Sequence, residues 1–155
     1  MEAPERLALL RDLLAQTRVG ALSTVTADGP YGSMTPFVHD PDRGAVHIHV
    51  SGLAKHTRHM QADARVSLLV TEADGPDKNP LALPRVTLCG KITEVPRDAP
   101  EYPSLKARYL ERFPNAETMF SLPDFKLLSL TPDTIHLVAG FGKAYNLPVD
   151  ALGAG

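Results

Sequence analysis

The chain reads AVHIHVSGLAKHTR over residues 45–58, and this stretch is the most informative in the sequence. Its first seven residues alternate between apolar side chains and histidine or serine, which predicts a β-strand with two different faces. The alternation then stops, and from Leu53 to about Ala62 the pattern favours a helix. A strand followed at once by a helix, with Ser51 and Gly52 between them, is therefore the starting point for the fold.

The connection between this strand and this helix has the composition of an anion site. Gly52 lets the backbone approach a ligand closely, and a helix start presents free N–H groups and a partial positive charge. Cationic and hydroxyl groups follow at Lys55, His56, Thr57 and Arg58. A second interpretation stays open, in which Ser51 is an ordinary helix cap and the basic residues form a solvated face.

The N-terminal third predicts one helix and a hairpin. Leucines at helical spacing indicate an amphipathic helix over about residues 4–17, with Pro4 in its first turn. Residues 19–26 and 32–39 are rich in β-forming side chains, and the turn signal Ala27-Asp28-Gly29-Pro30 separates them. This part of the chain therefore predicts two adjacent antiparallel strands behind a helix.

The C-terminal part predicts more short elements. Further strands are expected at residues 65–71, 85–95, 125–130 and 134–139. The second of these is expected to bend at Gly90, and a turn at 131–133 is expected to separate the last two. A helix over residues 102–113 precedes a second short one, and residues 140–155 are expected to form an irregular tail. Because hairpin turns dominate, we expect one domain, residues 1–155, built as a mainly antiparallel β-barrel with flanking helices.

Small polar residues occupy the middle of the second strand, in Gly32-Ser33-Met34-Thr35-Pro36. A core strand would carry branched apolar residues there, so these side chains could line a cleft and hydrogen-bond a planar ligand. Pro36 has no N–H, which predicts an edge strand or an interruption at that residue. A polar edge strand without a ligand is the alternative.

The titratable residues indicate neither a metal site nor a nucleophile. His47 and His49 share one strand face, but a metal needs a third ligand, and no HExxH or CxxC spacing occurs. Cys89 is the single cysteine and lies in an apolar strand, where a buried and inert role is expected. We therefore expect no metal and name no catalytic residue.

The composition excludes several classes of partner. A formal net charge of −2 over 155 residues gives no field that would attract nucleic acid or an acidic membrane. The sequence shows no signal peptide and no apolar run of membrane-spanning length, so a cytoplasmic protein is expected. Three charged residues near the last strands, Arg112, Asp124 and Lys126, are expected to form surface ion pairs of little energetic weight.

Six stretches in order resemble the pyridoxamine 5′-phosphate oxidase-like split barrels, and within them the haem-utilisation branch of the HugZ and HutZ type. They are GPYGSMTPF (29–37), SGLAKHT (51–57), PRVTLCG (84–90), RYLERFP (108–114), DF (124–125) and GFGKA (140–144). The resemblance covers most of the chain. It implies a six-stranded antiparallel Greek-key split barrel of the FMN-binding type. It also implies a homodimer with two equivalent cofactor sites at the subunit interface.

The resemblance also implies which residues contact the cofactor. In FMN-binding relatives, the segment after the third strand holds the phosphate, the second strand runs along the ring and ribityl chain, and the partner subunit contributes a further strand. The matching residues here are Ser51, Lys55, His56 and Thr57 for the phosphate, Ser33, Met34 and Thr35 for the second strand, and Arg85 for the partner's strand.

Three functions follow from these expectations. The first is an FMN-dependent oxidoreductase, in which the flavin carries the electrons while substrate and electron donor are unknown. The second is a haem-binding or haem-degrading protein. Haem-binding relatives use a histidine in the C-terminal tail, and residues 141–155 contain none, so FMN is favoured over haem. The same tail has no arginine, which argues against pyridoxamine phosphate oxidase activity itself. The third is a flavin-binding module without turnover.

Overall fold

The computed structural model describes residues 1–153, and within them it contains eight strands and four α-helices. The strands are β1 (Val19–Thr26), β2 (Gly29–Pro36), β3 (Val38–Asp40), β4 (Ala45–Ser51), β5 (Arg65–Thr71), β6 (Arg85–Val95), β7 (Phe125–Gly140) and β8 (Lys143–Leu147). The helices are α1 (Ala3–Gln16), α2 (Lys55–Ala62), α3 (Tyr102–Arg112) and α4 (Glu117–Phe120). Short 3₁₀ turns occur at Pro80–Ala82, Pro114–Ala116 and Val149–Gly153. None of the helices in this range is long and apolar enough to cross a membrane.

The strands form one antiparallel sheet in the order β2-β1-β5-β6-β7-β4-β3, with β8 paired to β7. The two ends of this path, β2 and β3, are consecutive in the chain and are joined at Phe37, which is fully buried. Because the chain links the two ends, the sheet has to curl back on itself, as in a barrel. The predicted class is confirmed. β3, which begins after the predicted interruption at Pro36, and β8 raise the expected six strands to eight.

A single long strand replaces the two that were predicted after residue 124. β7 runs without reversal from Phe125 to Gly140, so the predicted turn at 131–133 is wrong. The sequence signal was Pro132, which lacks an N–H donor. The partner strand accommodates it, because the register shifts between Cys89 and Gly90, opposite Pro132. The register shift falls at Gly90, where a bend was predicted, and the unpaired residue is Asp133 of β7. β7 can continue past Pro132 because Gly90 has no side chain, and a Cβ atom there would overlap the Thr131 carbonyl oxygen.

The C-terminal tail is ordered, in contrast to the prediction. β8 pairs with the second half of β7, and the 3₁₀ turn that follows buries Ala151 and Leu152 in the main core. The Leu152 carbonyl also lies 2.8 Å from Nε2 of His39. Residues 154 and 155, the last two of the predicted tail, lie outside the described part of the chain.

The main core lies inside the barrel and under α1. The amphipathic helix is confirmed, since Leu10, Leu13 and Leu14 are buried against the sheet. Outside the barrel, the face of β1, β5 and β6 carries small side chains. Cys89 is exposed on this face, so its predicted burial is wrong. Strand alternation is the reason, because the neighbouring Leu88 takes the inward position.

His47 belongs to a buried polar network at one end of the barrel. Its Nε2 lies 2.8 Å from Oδ2 of the fully buried Asp40, and its Nδ1 lies 2.6 Å from Oγ of Ser129. Arg43 donates to the same Asp40 oxygen at 2.9 Å. Burial raises the pKa of Asp40, but the hydrogen bonds from His47 and Arg43 outweigh it and hold that pKa below its ordinary value. Both nitrogens of His47 are thus occupied, and residues 1–153 hold no cluster of three metal-binding side chains.

His49 lies in a second, aromatic core between the barrel and helices α3 and α4. Its ring stacks on Phe120 at a centroid distance of 3.7 Å, and Tyr109 meets it edge-on at 5.6 Å. Burial, followed by the charges of Arg97 and Lys106, lowers the pKa of His49 to about 4. The imidazole is therefore neutral in the folded protein at neutral pH.

We expect His49 to make the stability of the fold depend on pH. Its pKa is about 6.5 when unfolded and about 4 when folded, so the unfolded state binds more protons between these values. The free energy of unfolding should fall as the pH drops from 6.5 towards 4. His49→Phe keeps a ring for Phe120 and removes the titration, so it should flatten this fall by on the order of 2 kcal/mol. Denaturant unfolding curves of both proteins between pH 7.5 and 4.5 measure the difference, and parallel curves would contradict it.

Candidate functional site

The connection between β4 and α2 is a tight turn built on Ser51. Its hydroxyl oxygen accepts a hydrogen bond from the Leu53 amide at 3.1 Å, and its carbonyl accepts one from the Ala54 amide at 3.2 Å. The helix begins at Lys55, two residues later than predicted, because Leu53 and Ala54 complete the turn. The N-cap is Ala54, which has no capping side chain, so Ser51 orders the turn and is not an ordinary helix cap.

Asp124, just before β7, fixes this turn from the neighbouring strand. The Gly52 amide donates to the Asp124 carbonyl at 2.5 Å, and the Ser51 hydroxyl donates to the Asp124 carboxylate at 3.1 Å. A Cβ atom on Gly52 would lie 2.7 Å from the same carbonyl oxygen. The close approach predicted for Gly52 is thus an approach to the protein's own backbone.

The prediction that Asp124 forms ion pairs with Arg112 and Lys126 is wrong. Lys126 instead lies 3.0 Å from Glu94, and Arg112 donates to the carbonyl of Thr17. The sequence places Asp124 beside Phe125 but does not show that its carboxylate turns back towards β4. This structural role was missed for that reason.

The first turn of α2 presents free donors. Its first helical hydrogen bond runs from the Arg58 amide to the Ala54 carbonyl, so the amides of residues 55–57 lie ahead of it. Lys55 and Arg58 are exposed, and among residues 1–153 no carboxylate lies within ion-pair distance of either. Positive charge therefore collects at this end of the helix without internal compensation.

The other two predicted residues of α2 are partly committed to internal contacts. Nδ1 of His56 lies 2.9 Å from Oγ of Ser33 on β2. Burial, and then the neighbouring charge of His59, lowers the pKa of His56. At neutral pH the imidazole would therefore contribute to ligand binding more by hydrogen bonding than by a positive charge. Thr57 is buried, and its hydroxyl donates to the Ser51 carbonyl at 2.6 Å, which leaves its amide for a ligand.

The three predicted residues of β2 do not share one face. Ser33 and Thr35 point towards the interior side, and Met34, 64% exposed, points outwards. The hydroxyl of Thr35 is buried and donates to the Pro36 carbonyl at 2.9 Å. β2 pairs with β1 at one edge and ends the strand path, so its other edge offers backbone groups to a ligand. Of these three residues, Ser33 is the one that hydrogen-bonds to α2.

Arg85 lies apart from the other predicted site residues. It begins β6, three strands away from β2 in the sheet, which corresponds to about 14 Å at the usual strand spacing. Its guanidinium donates to the carbonyl of Leu83 at 2.9 Å. Within one chain Arg85 therefore does not complete the site, and a contribution from a partner subunit stays a prediction.

A groove of 680 Å³ opens next to Ser33 and Met34. Leu9 and Leu13 of α1 form one wall, and residues 18–21 at the start of β1 form another. Its volume lies within the ~300–1,000 Å³ typical of small-molecule sites. The α1 wall was missed, because the leucine pattern assigned the helix to the core and gave no sign that its edge borders a groove.

Comparison with known proteins identifies the family. Residues 3–151 match the family described as CREG, beta-barrel. The chain belongs to the CREG β-barrel family. A structure of a pyridoxamine 5′-phosphate oxidase-type protein from Listeria innocua has a TM-score of 0.66 at 20% identity, covering 86% of this chain and 98% of that one. This likeness supports the split-barrel fold.

Relatives within the family carry haem-related names. The chain is 29% identical to heme oxygenase HutZ of Vibrio cholerae over 145 residues, covering 92% of this chain and 81% of the relative. It is 31% identical to the chloroplastic non-canonical heme oxygenase HOZ of Arabidopsis thaliana over 139 residues, or 88% of this chain and 41% of the relative. A heme-binding protein from Mycobacterium smegmatis superposes with a TM-score of 0.85 at 28% identity, covering 99% of this chain and 62% of that one. The chain thus resembles the haem-utilisation branch, and it spans less than two-thirds of the last two proteins.

Gly52→Ala should destabilise the turn before α2. The new Cβ would lie 2.7 Å from a backbone oxygen that has little room to move, so we expect a loss of roughly 1–3 kcal/mol in the free energy of unfolding. Gly32→Ala is the matched control, because no atom lies within 4 Å of the Cβ position there. It should stay within about 0.5 kcal/mol of the wild type. Equal denaturation midpoints for the two variants would show that the close approach at Gly52 does not matter.

Proposed function

We propose that this chain binds FMN and is an FMN-dependent oxidoreductase, with the phosphate at the start of α2 and the ring in the groove beside Ser33 and Met34. The observation that carries the proposal is the 2.9 Å contact between Ser33 and His56. This contact supports the proposal, because Ser33 also lines the groove, and a molecule with one acidic end and one planar end would extend from α2 past Ser33 into it.

The donors for the phosphate would be backbone amides, one ammonium group and one imidazole. The hydroxyls of Ser51 and Thr57 already serve the turn, which leaves the amides of residues 55–57, the side chain of Lys55 and the imidazole of His56. A dianionic phosphate is stabilised at a helix start by these free amides and by the helix dipole. When bound, FMN would supply the electron transfer chemistry, and the chain would hold and orient it.

We propose further that the site is completed in a homodimer. The outer face of β1, β5 and β6 carries several small residues, with Ala21 beside Leu69 and Ser67 beside Cys89. Leu69 and Met34 are large apolar residues exposed on the same face. A second copy packed on this face would cover them, and its Arg85 could then reach the cofactor that β2 holds.

Haem is the second candidate ligand, and the names of the relatives favour it. Haem also combines a planar ring with acidic groups, so its propionates would use the same start of α2. Iron would need an axial ligand. His39, His47 and His49 are committed to the interior, whereas His136 is exposed on the outer face of β7. His136 is therefore the histidine that this alternative would use.

The FMN proposal is tested by removing the phosphate contacts. The double variant Lys55→Ala, His56→Ala should bind FMN well over tenfold more weakly than the wild type, because a charge-assisted hydrogen bond contributes about 1.5–3 kcal/mol. Riboflavin has no phosphate and is the matched control, so its affinity should be equal in both proteins. Fluorescence titration of each flavin gives the four dissociation constants.

Two results would count against FMN. The first is equal FMN affinity in the wild type and the double variant. The second is a purified protein that releases no flavin on denaturation but develops a Soret band with added haem. If His136→Ala then removes that band, the assignment moves to haem.

The homodimer is tested by adding charge to the outer face. Ser67→Arg places a guanidinium in the middle of the proposed interface and should convert a dimer into a monomer. Ala107→Arg adds the same group at an exposed position of α3 and should leave the dimer intact. Light scattering coupled to size-exclusion chromatography measures the mass of each. A monomeric wild type at tens of micromolar would refute the proposed assembly.

A further inference from the structure

A second cleft borders α2 and shares no lining residue with the groove. It has a volume of 460 Å³ and opens between the hairpin of β1 and β2 and the exposed face of the helix. Tyr31 and Asp28 of the hairpin line one side, and Lys55, Arg58 and His59 line the other. The volume again falls within the ~300–1,000 Å³ of small-molecule sites. Of these residues, only Lys55 also belongs to the proposed FMN site.

The aromatic side of the cleft is held in place by a buried contact. Nδ1 of His59 lies 2.9 Å from Oγ1 of Thr24, a threonine that is 1% exposed. The rings of His59 and Tyr31 meet edge-to-face, with centroids 4.9 Å apart and an angle of 78° between their planes. Tyr31 remains 37% exposed, so part of its ring is free to contact a ligand. The edge-to-face contact with His59 holds the Tyr31 ring in position, and its exposed part provides a surface for a planar base.

The other side of the cleft carries positive charge. Lys55 and Arg58 have no ion-pair partner among residues 1–153, although both border the cleft. Asp28 is the one acidic residue of the lining, and its amide is tied into the hairpin by a 3.1 Å hydrogen bond to Thr26. A guanidinium and an ammonium beside an aromatic ring match a ligand that joins phosphates to a base, since guanidinium binds phosphate oxygens in pairs.

We propose that this cleft binds the adenosine diphosphate part of a dinucleotide, with the adenine on Tyr31 and the pyrophosphate on Arg58 and Lys55. A lone phosphate would use the two cations but not the ring. Two dinucleotides share this chemistry. In FAD, the flavin end would lie in the proposed FMN site on the far side of Lys55. A reduced nicotinamide dinucleotide bound here would be the electron donor that the proposed oxidoreductase needs.

The test uses ADP as the probe, measured by isothermal titration calorimetry on the full chain. ADP contains no flavin, so the result does not depend on whether the FMN proposal holds. Wild-type protein should bind ADP with a dissociation constant below 1 mM and bind inorganic pyrophosphate at least fivefold more weakly. No heat of ADP binding at 1 mM, or equal affinity for ADP and pyrophosphate, would overturn the proposal.

Two variants locate the site. Arg58→Ala should weaken ADP binding about tenfold or more, because it removes a charged contact to phosphate. Tyr31→Ala should lower ADP affinity severalfold without affecting pyrophosphate. Arg65→Ala removes an exposed arginine that pairs with Asp63 at 2.7 Å, away from the cleft, and is the matched control. Unchanged ADP affinity in Arg58→Ala, or an equal loss in Arg65→Ala, would place ADP elsewhere.

Two further titrations distinguish FAD from a nicotinamide dinucleotide as the ligand. If the cleft belongs to FAD, FAD should bind the wild type more tightly than FMN, and Arg58→Ala should lower the affinity for FAD more than the affinity for FMN. If it belongs to the electron donor, NADPH should bind the FMN-loaded protein in competition with ADP. Failure of both would overturn the dinucleotide assignment even where ADP binds.

Discussion

The contact between Gly52 and Asp124 is the constraint on which the site depends. The amide of Gly52 approaches the Asp124 carbonyl to 2.5 Å, a distance that a side chain on residue 52 would not allow. This contact ends β4 at the point where β7 begins. It therefore fixes where α2 starts and in which direction its free amides point. The same glycine was expected to make room for a ligand, and it makes room for the protein backbone instead.

From this turn, α2 is fastened to the barrel by two pairs of polar side chains. His56 contacts Ser33 on β2, and His59 contacts Thr24 on β1. The two histidines are three residues apart, so they lie on one side of the helix, while Lys55 and Arg58 remain exposed. The two imidazoles make the contacts with the sheet, and the charged side chains of Lys55 and Arg58 remain at the surface. This division of roles allows a short helix to be both fixed in position and available to anions.

The sequence predicted the regions where local pattern and packing agree. The alternation of residues 45–51 and the leucine stripe of α1 each gave the correct element. In α1 the buried leucines set the helical period, whereas in β4 both faces are buried and the alternation separates apolar residues from the two histidines. The errors occurred where a residue's conformation or contacts depend on a strand that is distant in the sequence. Pro132 suggested a turn, but Gly90 on the opposite strand has no side chain and leaves room for it. The two residues are far apart in the sequence, so no local pattern shows that they are neighbours. Asp124 was misjudged for the same reason, since its partners Ser51 and Gly52 lie more than 70 residues away in the chain.

The prediction of site residues also depends on contacts that are distant in the sequence. Lys55, His56 and Ser33 were named from local pattern and resemblance, and the structure brings them together. Thr35 and Thr57 were named on the same grounds, but their hydroxyls are buried and engaged with backbone carbonyls. A hydroxyl in sequence shows only that a donor exists, because the fold decides whether that donor already has an acceptor.

The choice between flavin and haem depends on one chemical difference, because the site itself suits both. In both proposals the planar ring would lie in the groove and the acidic groups at the start of α2, so the anion contacts do not discriminate between them. Haem additionally needs a ligand for iron, and three of the six histidines are held in the interior while His56 and His59 fasten α2 to the sheet. His136 is exposed on the outer face of β7, beside Thr87 of β6, which belongs to the proposed dimer interface. An iron ligand would therefore come from the interface between two subunits, whereas the FMN phosphate needs only α2. The assembly state and the identity of the cofactor are for this reason linked.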